Sequence, residues 1–118
     1  MKKFTSHDQY QNLHMNHVNL IGKMTSDPRI AILPGGRKVA QFSIATKETY
    51  LDEDGNPCVK QNWHRMTAWG RWVIVLEELC KKGINVAVEG KLVSRYYKLD
   101  NGKRQMISEI EVNDLVIL

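Results

Sequence analysis

Most features that mark an enzyme, an exported protein or a membrane protein are missing from this sequence of 118 residues. It contains no phosphate-binding GxxxxGK(S/T), no GxGxxG, no zinc-binding HExxH and no GxSxG nucleophile motif. No run approaches the roughly 18 apolar residues that a membrane span requires. The N-terminal residues also lack the apolar segment of a secretory signal. We therefore predict a non-enzymatic cytoplasmic protein without cofactor, metal or membrane contact.

Candidate metal ligands and catalytic groups are equally scarce. Cys58 and Cys80 are the only cysteines, and they lie too far apart for a CxxC metal or redox motif, so we predict two reduced thiols. The acidic turn at residues 51–57 has Pro57 where a calcium-binding loop requires glycine, which favours a solvated turn. His64 has no acidic partner nearby in sequence. It is more typical of a packed or interface histidine than of a catalytic base.

The composition is that of one moderately basic globular domain. Apolar residues make up 42% of the chain and charged residues 25%. Seventeen Lys and Arg against thirteen Asp and Glu give a formal net charge of +4. This charge is compatible with a polyanionic partner such as nucleic acid, but it does not establish one.

Period-two alternation and turn motifs indicate a mostly β chain. Between Val39 and Thr46, Ala40, Phe42 and Ile44 fall on one face, the pattern of a half-buried strand. Turns are predicted at residues 34–36, 51–57 and 100–102. The period changes to that of a helix at residues 71–82, where Gly83 would supply a left-handed cap.

The order of these elements predicts the fold class. About five strands, several bent at glycines, with one short helix between the third and fourth are expected of an all-β, five-stranded Greek-key OB-fold barrel. The open face of such barrels commonly binds oligonucleotides. We predict that residues 16–118 form this domain. Residues 1–15 are polar and without period, which is typical of a flexible arm.

All three tryptophans lie within residues 62–72. On a β-strand, Trp63, Arg65 and Trp69 would share one face, while His64 would point to the other. Two indoles separated by a guanidinium suit a nucleic-acid strand, which offers bases to stack and phosphates to neutralise. Trp72 does not follow the alternation and is predicted to pack in the helix.

Two tyrosines and several cations extend this hypothesis. Tyr50 and Tyr97 are further stacking candidates, although core or subunit-interface packing stays open for all these rings. Cations recur beside the aromatic residues, and the candidate phosphate contacts are Lys47, Arg65, Arg71, Arg95 and Lys98. Each of them alone would be an ordinary surface charge.

Several short motifs together resemble the bacterial single-stranded DNA-binding protein family over residues 16–118. They are NHVNLIG at 16–22, DP at 27–28, VAQFSIAT at 39–46, WHR at 63–65, KG at 82–83, VEGKL at 88–92 and EIEV at 109–112. The resemblance implies an OB fold and a homotetramer, or at least a dimer, that binds single-stranded DNA without sequence preference during replication, recombination and repair. It also implies stacking by Tyr50, Trp63, Trp69 and Tyr97, a subunit contact for His64 and a subunit-pairing strand edge at residues 18–21.

The sequence departs from this family at both ends. Members typically continue into a flexible tail with an acidic, partner-recruiting tip, whereas this sequence stops at Leu118. The extra residues before Met15 are also unusual for the family. An alternative hypothesis is therefore a tailless primosome-type OB protein that acts mainly through protein interactions in replication restart. Replication and repair proteins are expected as partners only if they are recruited without such a tail.

Overall fold

Six strands and one helix make up the part of the chain that the structure describes, residues 13–118 of a computed structural model. The predicted arm at residues 1–15 lies almost entirely outside the described residues. The elements are β1 (Val18–Met24), β2 (Arg29–Ile32), β3 (Lys38–Leu51), β4 (Pro57–Trp69), α1 (Arg71–Leu79), β5 (Asn85–Lys98) and β6 (Arg104–Ile117).

Pairing of the first and third strands closes the sheet into a barrel. The strand order is β1-β5-β6-β4-β3-β2, and β1 returns to β3 through the pairs Lys23↔Ala45 and Met24↔Ile44. Neighbouring strands run antiparallel except β4 and β6, which are parallel. The predicted five-stranded OB-type barrel is confirmed. The short β2, a hairpin partner of β3, is a sixth strand added to it.

The apolar side chains of the alternation predicted for β3 pack inside the barrel. Ala40, Phe42 and Ile44 are buried on the inner face, because odd and even residues of a strand point to opposite sides. Met66 and Ala68 of β4 face them across the ladder and are fully buried. The core therefore occupies the barrel interior, and the other row of β3 and β4 side chains faces outward.

Helix α1 covers one part of this core but is shorter than predicted. We expected it to reach Lys82 with Gly83 as its cap; it ends at Leu79, and Cys80 is already extended. The chain leaves the helix there because the Cys80 side chain packs into the core, 1% exposed. Gly83 does have a positive φ of 95°, but it belongs to the turn into β5, where its N–H donates to the Met24 carbonyl over 2.9 Å.

A β-bulge in β5 directs the second half of that strand. The register between β5 and β6 shifts at Glu89/Gly90, and a bulge bends the strand that contains it. No side chain fits here, since a Cβ on Gly90 would lie 2.2 Å from the Glu111 carbonyl oxygen. Beyond the bulge, β5 carries Arg95 and Tyr97 onto the outer face described below.

The predicted turns and free thiols are also present. In the β3–β4 turn, the Asp52 carboxylate accepts the backbone N–H groups of Asp54 (3.0 Å) and Asn56 (2.8 Å). Both cysteines are free thiols, and the Cys58 thiol donates to the Asp52 carboxylate over 3.8 Å. Within residues 13–118, no helix is long and apolar enough to cross a membrane, and no three His, Cys, Asp or Glu side chains cluster as metal ligands would.

Candidate nucleic-acid interface

The outer row of β4 contains the two predicted indoles. Trp63 lies opposite Ala45 of β3, Arg65 opposite Ser43 and Trp69 opposite Val39. Trp63 is 65% exposed, whereas Trp69 is only half-buried and the Arg65 side chain is exposed. The predicted shared face is thus confirmed as geometry. We call it, together with the adjoining outer residues of β5 and β6, the tryptophan face.

His64 lies on the inner row of β4, on the side of the strand opposite to the tryptophan face. The His64 Nε2 atom lies 2.8 Å from the Thr46 hydroxyl oxygen, and its ring is half-buried. The Thr46 hydroxyl satisfies one ring nitrogen, as expected of a packed histidine. The subunit contact implied by the resemblance stays a prediction.

Strands β5 and β6 complete the tryptophan face with a buried carboxylate. Glu109 is 1% exposed, although it lies on the outer row of β6, opposite Val93. Its Oε2 atom accepts hydrogen bonds from the Thr67 hydroxyl (2.5 Å) and from Arg95 Nε (3.1 Å). Its Oε1 atom accepts one from the Tyr97 hydroxyl. One carboxylate thus joins three strands of the face.

Arg95 is shared between two carboxylates. Its Nη2 atom donates to Glu111 over 3.1 Å, in addition to the Nε bond to Glu109. These are the ion pairs that residues 13–118 form. A carboxylate this deeply buried is tolerated because it is paired and hydrogen-bonded on both oxygens.

The protonation of Tyr97 responds to this environment. Burial of the ring, followed by the hydrogen bond to Glu109 and the charge of that carboxylate, raises the pKa of Tyr97 above its ordinary value. Arg65 and Arg95 act in the opposite direction, but they do not reverse the shift. The hydroxyl therefore keeps its proton, and keeps donating it to Glu109, throughout the neutral pH range.

Guanidinium groups cover the indole of Trp69. The Cζ atom of Arg37 lies 4.7 Å from the ring centroid, and that of Arg95 lies 6.0 Å from it. Both distances are within the range of a cation–π interaction. Arg37 comes from the turn that precedes β3. This contact holds Trp69 in place in the unliganded protein.

A groove of about 500 Å³ crosses the centre of the tryptophan face. Arg65 and Tyr97 line one part of it, and Arg29 of β2 adds a second cation. Gln41, Ser43 and Gln105 supply neutral polar groups, and Asp27 adds a carboxylate to the same lining. Aromatic, cationic and amide side chains thus surround one concave surface, as a flexible polyanion with planar rings would require.

Three of the other predicted site residues lie away from this groove. Tyr50 pairs with Cys58 and has the opposite alternation to Trp63 along the β3–β4 hairpin. Arg71, the first residue of α1, holds its guanidinium 4.7 Å from the Trp72 ring, and Trp72 packs against the core as predicted. Lys98 is exposed near the end of β5, opposite Arg104.

Lys47 belongs to a second groove. It follows Ala45 on the row that continues from Trp63, and it lines a concave surface of about 550 Å³ between β1 and β3. Lys23 and Lys82 line the same groove. No carboxylate is part of its lining. The outer surface therefore has two grooves with cationic side chains, one lined by Arg29 and Arg65 and the other by Lys23, Lys47 and Lys82.

Sequence reasoning missed the residues that organise the face. Glu109 was noted only within a motif, and Thr67 and Arg37 were assigned no role. The one local signal was the alternation of Glu109 and Glu111 in β6, which puts two carboxylates on one side of a strand. Their partner Arg95 could be recognised only with the β5–β6 register in hand.

Comparison with known proteins identifies the family to which the chain is similar. The model of the single-strand binding protein family matches residues 15–118. The single-stranded DNA-binding protein of Neisseria meningitidis serogroup A is 32% identical over 106 residues, covering 90% of this chain and 61% of that protein. Single-stranded DNA-binding protein 1 of Chlorobaculum tepidum is 35% identical over 106 residues, covering 88% and 65%.

Two solved structures share the fold. The Plasmodium falciparum SSB complex with ssDNA superposes with a TM-score of 0.80 at 33% identity, covering 89% of this chain and 96% of that one. A deletion mutant of the single-stranded DNA binding protein from Thermus aquaticus gives 0.77 at 28% identity, covering 88% and 50%. The chain spans less than two thirds of the length of the curated relatives, 61% and 65%. With the barrel, the tryptophan face and the family match in agreement, the chain belongs to the single-strand binding protein family.

Proposed function

We propose that this protein binds single-stranded DNA without sequence preference across the tryptophan face. The observation that carries the proposal is the arrangement of Trp63, Arg65, Trp69 and Tyr97 along one outer surface with a groove at its centre. Bases that are unpaired can stack on these rings, and each stacked base contributes about 1–3 kcal/mol whatever its identity. Arg65 and the lysines of the second groove, Lys23, Lys47 and Lys82, neutralise phosphates.

A single strand fits this surface better than a duplex or a substrate does. Stacking on an indole needs a base whose ring face is free, and bases within a duplex are already stacked. The buried titratable group at the centre, Glu109, accepts three hydrogen bonds and meets no histidine or metal-binding cluster among residues 13–118. We therefore propose binding without catalysis.

The relatives support the choice of ligand. One structural neighbour, from Plasmodium falciparum, is described as a complex with ssDNA, and the curated relatives are named as single-stranded DNA-binding proteins. For this chain we propose the corresponding cytoplasmic role: covering single strands exposed in replication, recombination and repair.

Fluorescence titration with oligo-dT tests the ligand. We expect quenching of tryptophan emission, with an affinity that falls steeply as salt rises, because each phosphate neutralised on a single strand contributes about 0.7 to the salt exponent. Arg65→Gln should weaken binding. The matched control Lys81→Gln removes the same charge from the turn after α1 and should not. Absence of quenching at low salt would refute the proposal.

Self-association is the second part of the proposal, as a homotetramer or a dimer. The outer edge of β1 over residues 18–21 pairs with no strand of this chain among the described residues, since β1 meets β3 at Lys23 and Met24 and only Gly22 lies close against Ala45 before them. Ile21 beside this edge and Val116 of β6 are apolar and more than half exposed. A free strand edge next to apolar side chains is a template for pairing with a second chain.

Light scattering tests the assembly in the same experiments as the DNA titration. A tetramer that binds oligo-dT tightly supports the whole proposal. A stable dimer with weak DNA binding would instead favour the primosome-type role in protein interaction. A monomer at micromolar concentration would refute self-association without affecting the ligand.

A further inference from the structure

We infer that Glu109 is a positioning residue of the DNA-binding face, which fixes the Tyr97 ring and holds Arg95 as an internal counterion, so that Arg65 rather than Arg95 meets phosphate. The inference rests on the proposed function and divides the cations of the face into two classes. Arg95 neutralises carboxylate charge within the protein, and Arg65 neutralises a phosphate charge of the DNA.

The first observation is that Glu109 is buried and hydrogen-bonded only within the protein. Its side chain is 0% exposed, and the groups that reach it are the donors Thr67, Arg95 and Tyr97. A carboxylate is an acceptor only, with two oxygens that can take several donors. Because Glu109 cannot reach water, it depends on these three side chains, and they are held in one arrangement.

The second observation is the charge around Arg95. One guanidinium lies between two carboxylates, Glu109 and Glu111, at 3.1 Å from each. The three groups together carry one negative charge, so a phosphate at Arg95 would bring a third anion to a single cation. The Arg95 side chain is also only 33% exposed. Its charge is therefore already used within the protein.

Arg65 differs from Arg95 in each respect. It lies one residue pair away from Thr67 on the same row of β4, is exposed, and has no carboxylate within 4.0 Å among residues 13–118. It also lines the central groove together with Tyr97. Asp27 also lines this groove, but it forms no ion pair with Arg65, so a phosphate that follows a base stacked there meets a guanidinium that no carboxylate of residues 13–118 already pairs.

The position of Tyr97 follows from its hydroxyl group. The ring lines the groove while the hydroxyl donates to Glu109, so the direction in which the side chain extends is fixed before any ligand arrives. A platform that is already ordered loses less conformational entropy when a base stacks on it. Glu109 thus acts on the ligand only through Tyr97 and Arg95.

The salt dependence of oligo-dT binding separates the two classes of cation. We expect Arg65→Gln to lower the salt exponent by about 0.7, the share of one phosphate on a single strand. Arg95→Gln should leave the exponent unchanged. Glu109→Gln should raise it, by at most about 0.7, because Arg95 with Glu111 alone forms a neutral pair instead of a negative cluster and can approach a phosphate. A merely structural role for Glu109 would change stability and affinity, but it would not steepen the salt dependence.

An Arg95→Gln exponent as low as that of Arg65→Gln would overturn the inference, as would an unchanged exponent in Glu109→Gln. If Arg95→Gln does not fold, Glu109→Gln decides alone. If that variant also fails to fold, Glu111→Gln decides: it removes the more exposed carboxylate and should steepen the salt dependence as well, and no change would count against the inference.

A readout without DNA keeps this test separate from the proposed function. In an ultraviolet titration, Tyr97→Phe identifies the transition of Tyr97 by its loss, and we expect that transition to move to lower pH in Glu109→Gln. If the wild-type protein does not bind oligo-dT, the proposed function fails, while this titration still shows whether Glu109 holds Tyr97. An unchanged titration in Glu109→Gln would contradict the positioning role itself.

Discussion

The two indoles of β4 lie on one face but in opposite conditions. Trp69 is half-buried, with the guanidinium of Arg37 4.7 Å from its ring centroid. Arg95, which pairs with Glu109, also lies against this ring. Trp63 is 65% exposed and has no such cover among the described residues. One end of the face is ordered by the protein, and the other is left for the ligand.

This difference teaches how one surface can be both stable and adaptable. Ordered side chains have lost their freedom on folding, so binding to them costs less entropy. A free side chain such as Trp63 loses that freedom when the ligand binds, but it can follow bases in different positions. We expect mutations at the ordered end to affect folding first, and mutations at the free end to affect binding alone.

The largest effect is expected from Glu109→Ala at the ordered end. It leaves Thr67, Tyr97 and Arg95 without their shared acceptor, and each buried donor left unsatisfied costs about 1–3 kcal/mol of unfolding free energy. Urea unfolding monitored by fluorescence measures this loss. The control Glu111→Ala removes a more exposed partner of Arg95 and should cost about 1 kcal/mol or less. Equal losses in the two variants would show that burial of Glu109 is not what matters.

The contrast between the two ends also explains which parts of the tryptophan face could be predicted from the sequence. The strands β3 and β4 were predictable because their alternation is local, visible in Ala40, Phe42 and Ile44 and in the row of Trp63 and Trp69. Glu109 was not, because its contact to Thr67 joins residues 42 positions apart. Such a contact depends on the parallel β4–β6 pairing, which leaves no local trace.

Two further differences have similar origins. The end of α1 was misplaced because the helical period continues past Leu79, whereas the tertiary structure draws Cys80 into the core. Tyr50 stays a stacking prediction, but its register opposite Cys58 gives it the other alternation from Trp63, which residue type and the family resemblance did not indicate. Residue type predicts chemistry, and only register predicts which side chains share a surface.

At the free end, Trp63→Ala should change binding without changing stability. We expect a loss of about 1–3 kcal/mol in affinity for oligo-dT. The unfolding free energy should stay within about 0.5 kcal/mol, as for most surface substitutions. Trp69→Ala is the matched variant and should lower both quantities, because it also removes the platform under Arg37. If Trp63→Ala is the less stable of the two, the distinction between the ends fails.

Gly90→Ala tests whether the β5 bulge sets up the ordered end. The added Cβ would lie 2.2 Å from the Glu111 backbone oxygen, so β5 and β6 must separate at Glu111, whose side chain pairs with Arg95. Overpacking of this kind costs about 1–3 kcal/mol. Thermal unfolding measures it, with Ser94→Ala on an exposed position of the same strand as the control. A neutral Gly90→Ala would mean that the bulge is not required for the pairing.

The smallest effect is expected from Tyr97→Phe, which keeps the ring and removes only the hydroxyl. Loss of its hydrogen bond to Glu109 should cost about 1 kcal/mol of unfolding free energy near neutral pH, while stacking of DNA on the ring is largely kept.

The pKa of Tyr97 is raised in the folded state. The extra stability of the wild type over Tyr97→Phe is therefore complete below the ordinary tyrosine value of 10.0 and declines as pH rises through the folded pKa. The stability difference between wild type and Tyr97→Phe should therefore narrow above pH 10 in urea titrations, and the other tyrosines cancel in that difference. A difference that instead widens with pH would mean that Glu109 does not hold the Tyr97 proton, and the ordered end would then depend on Arg95 alone.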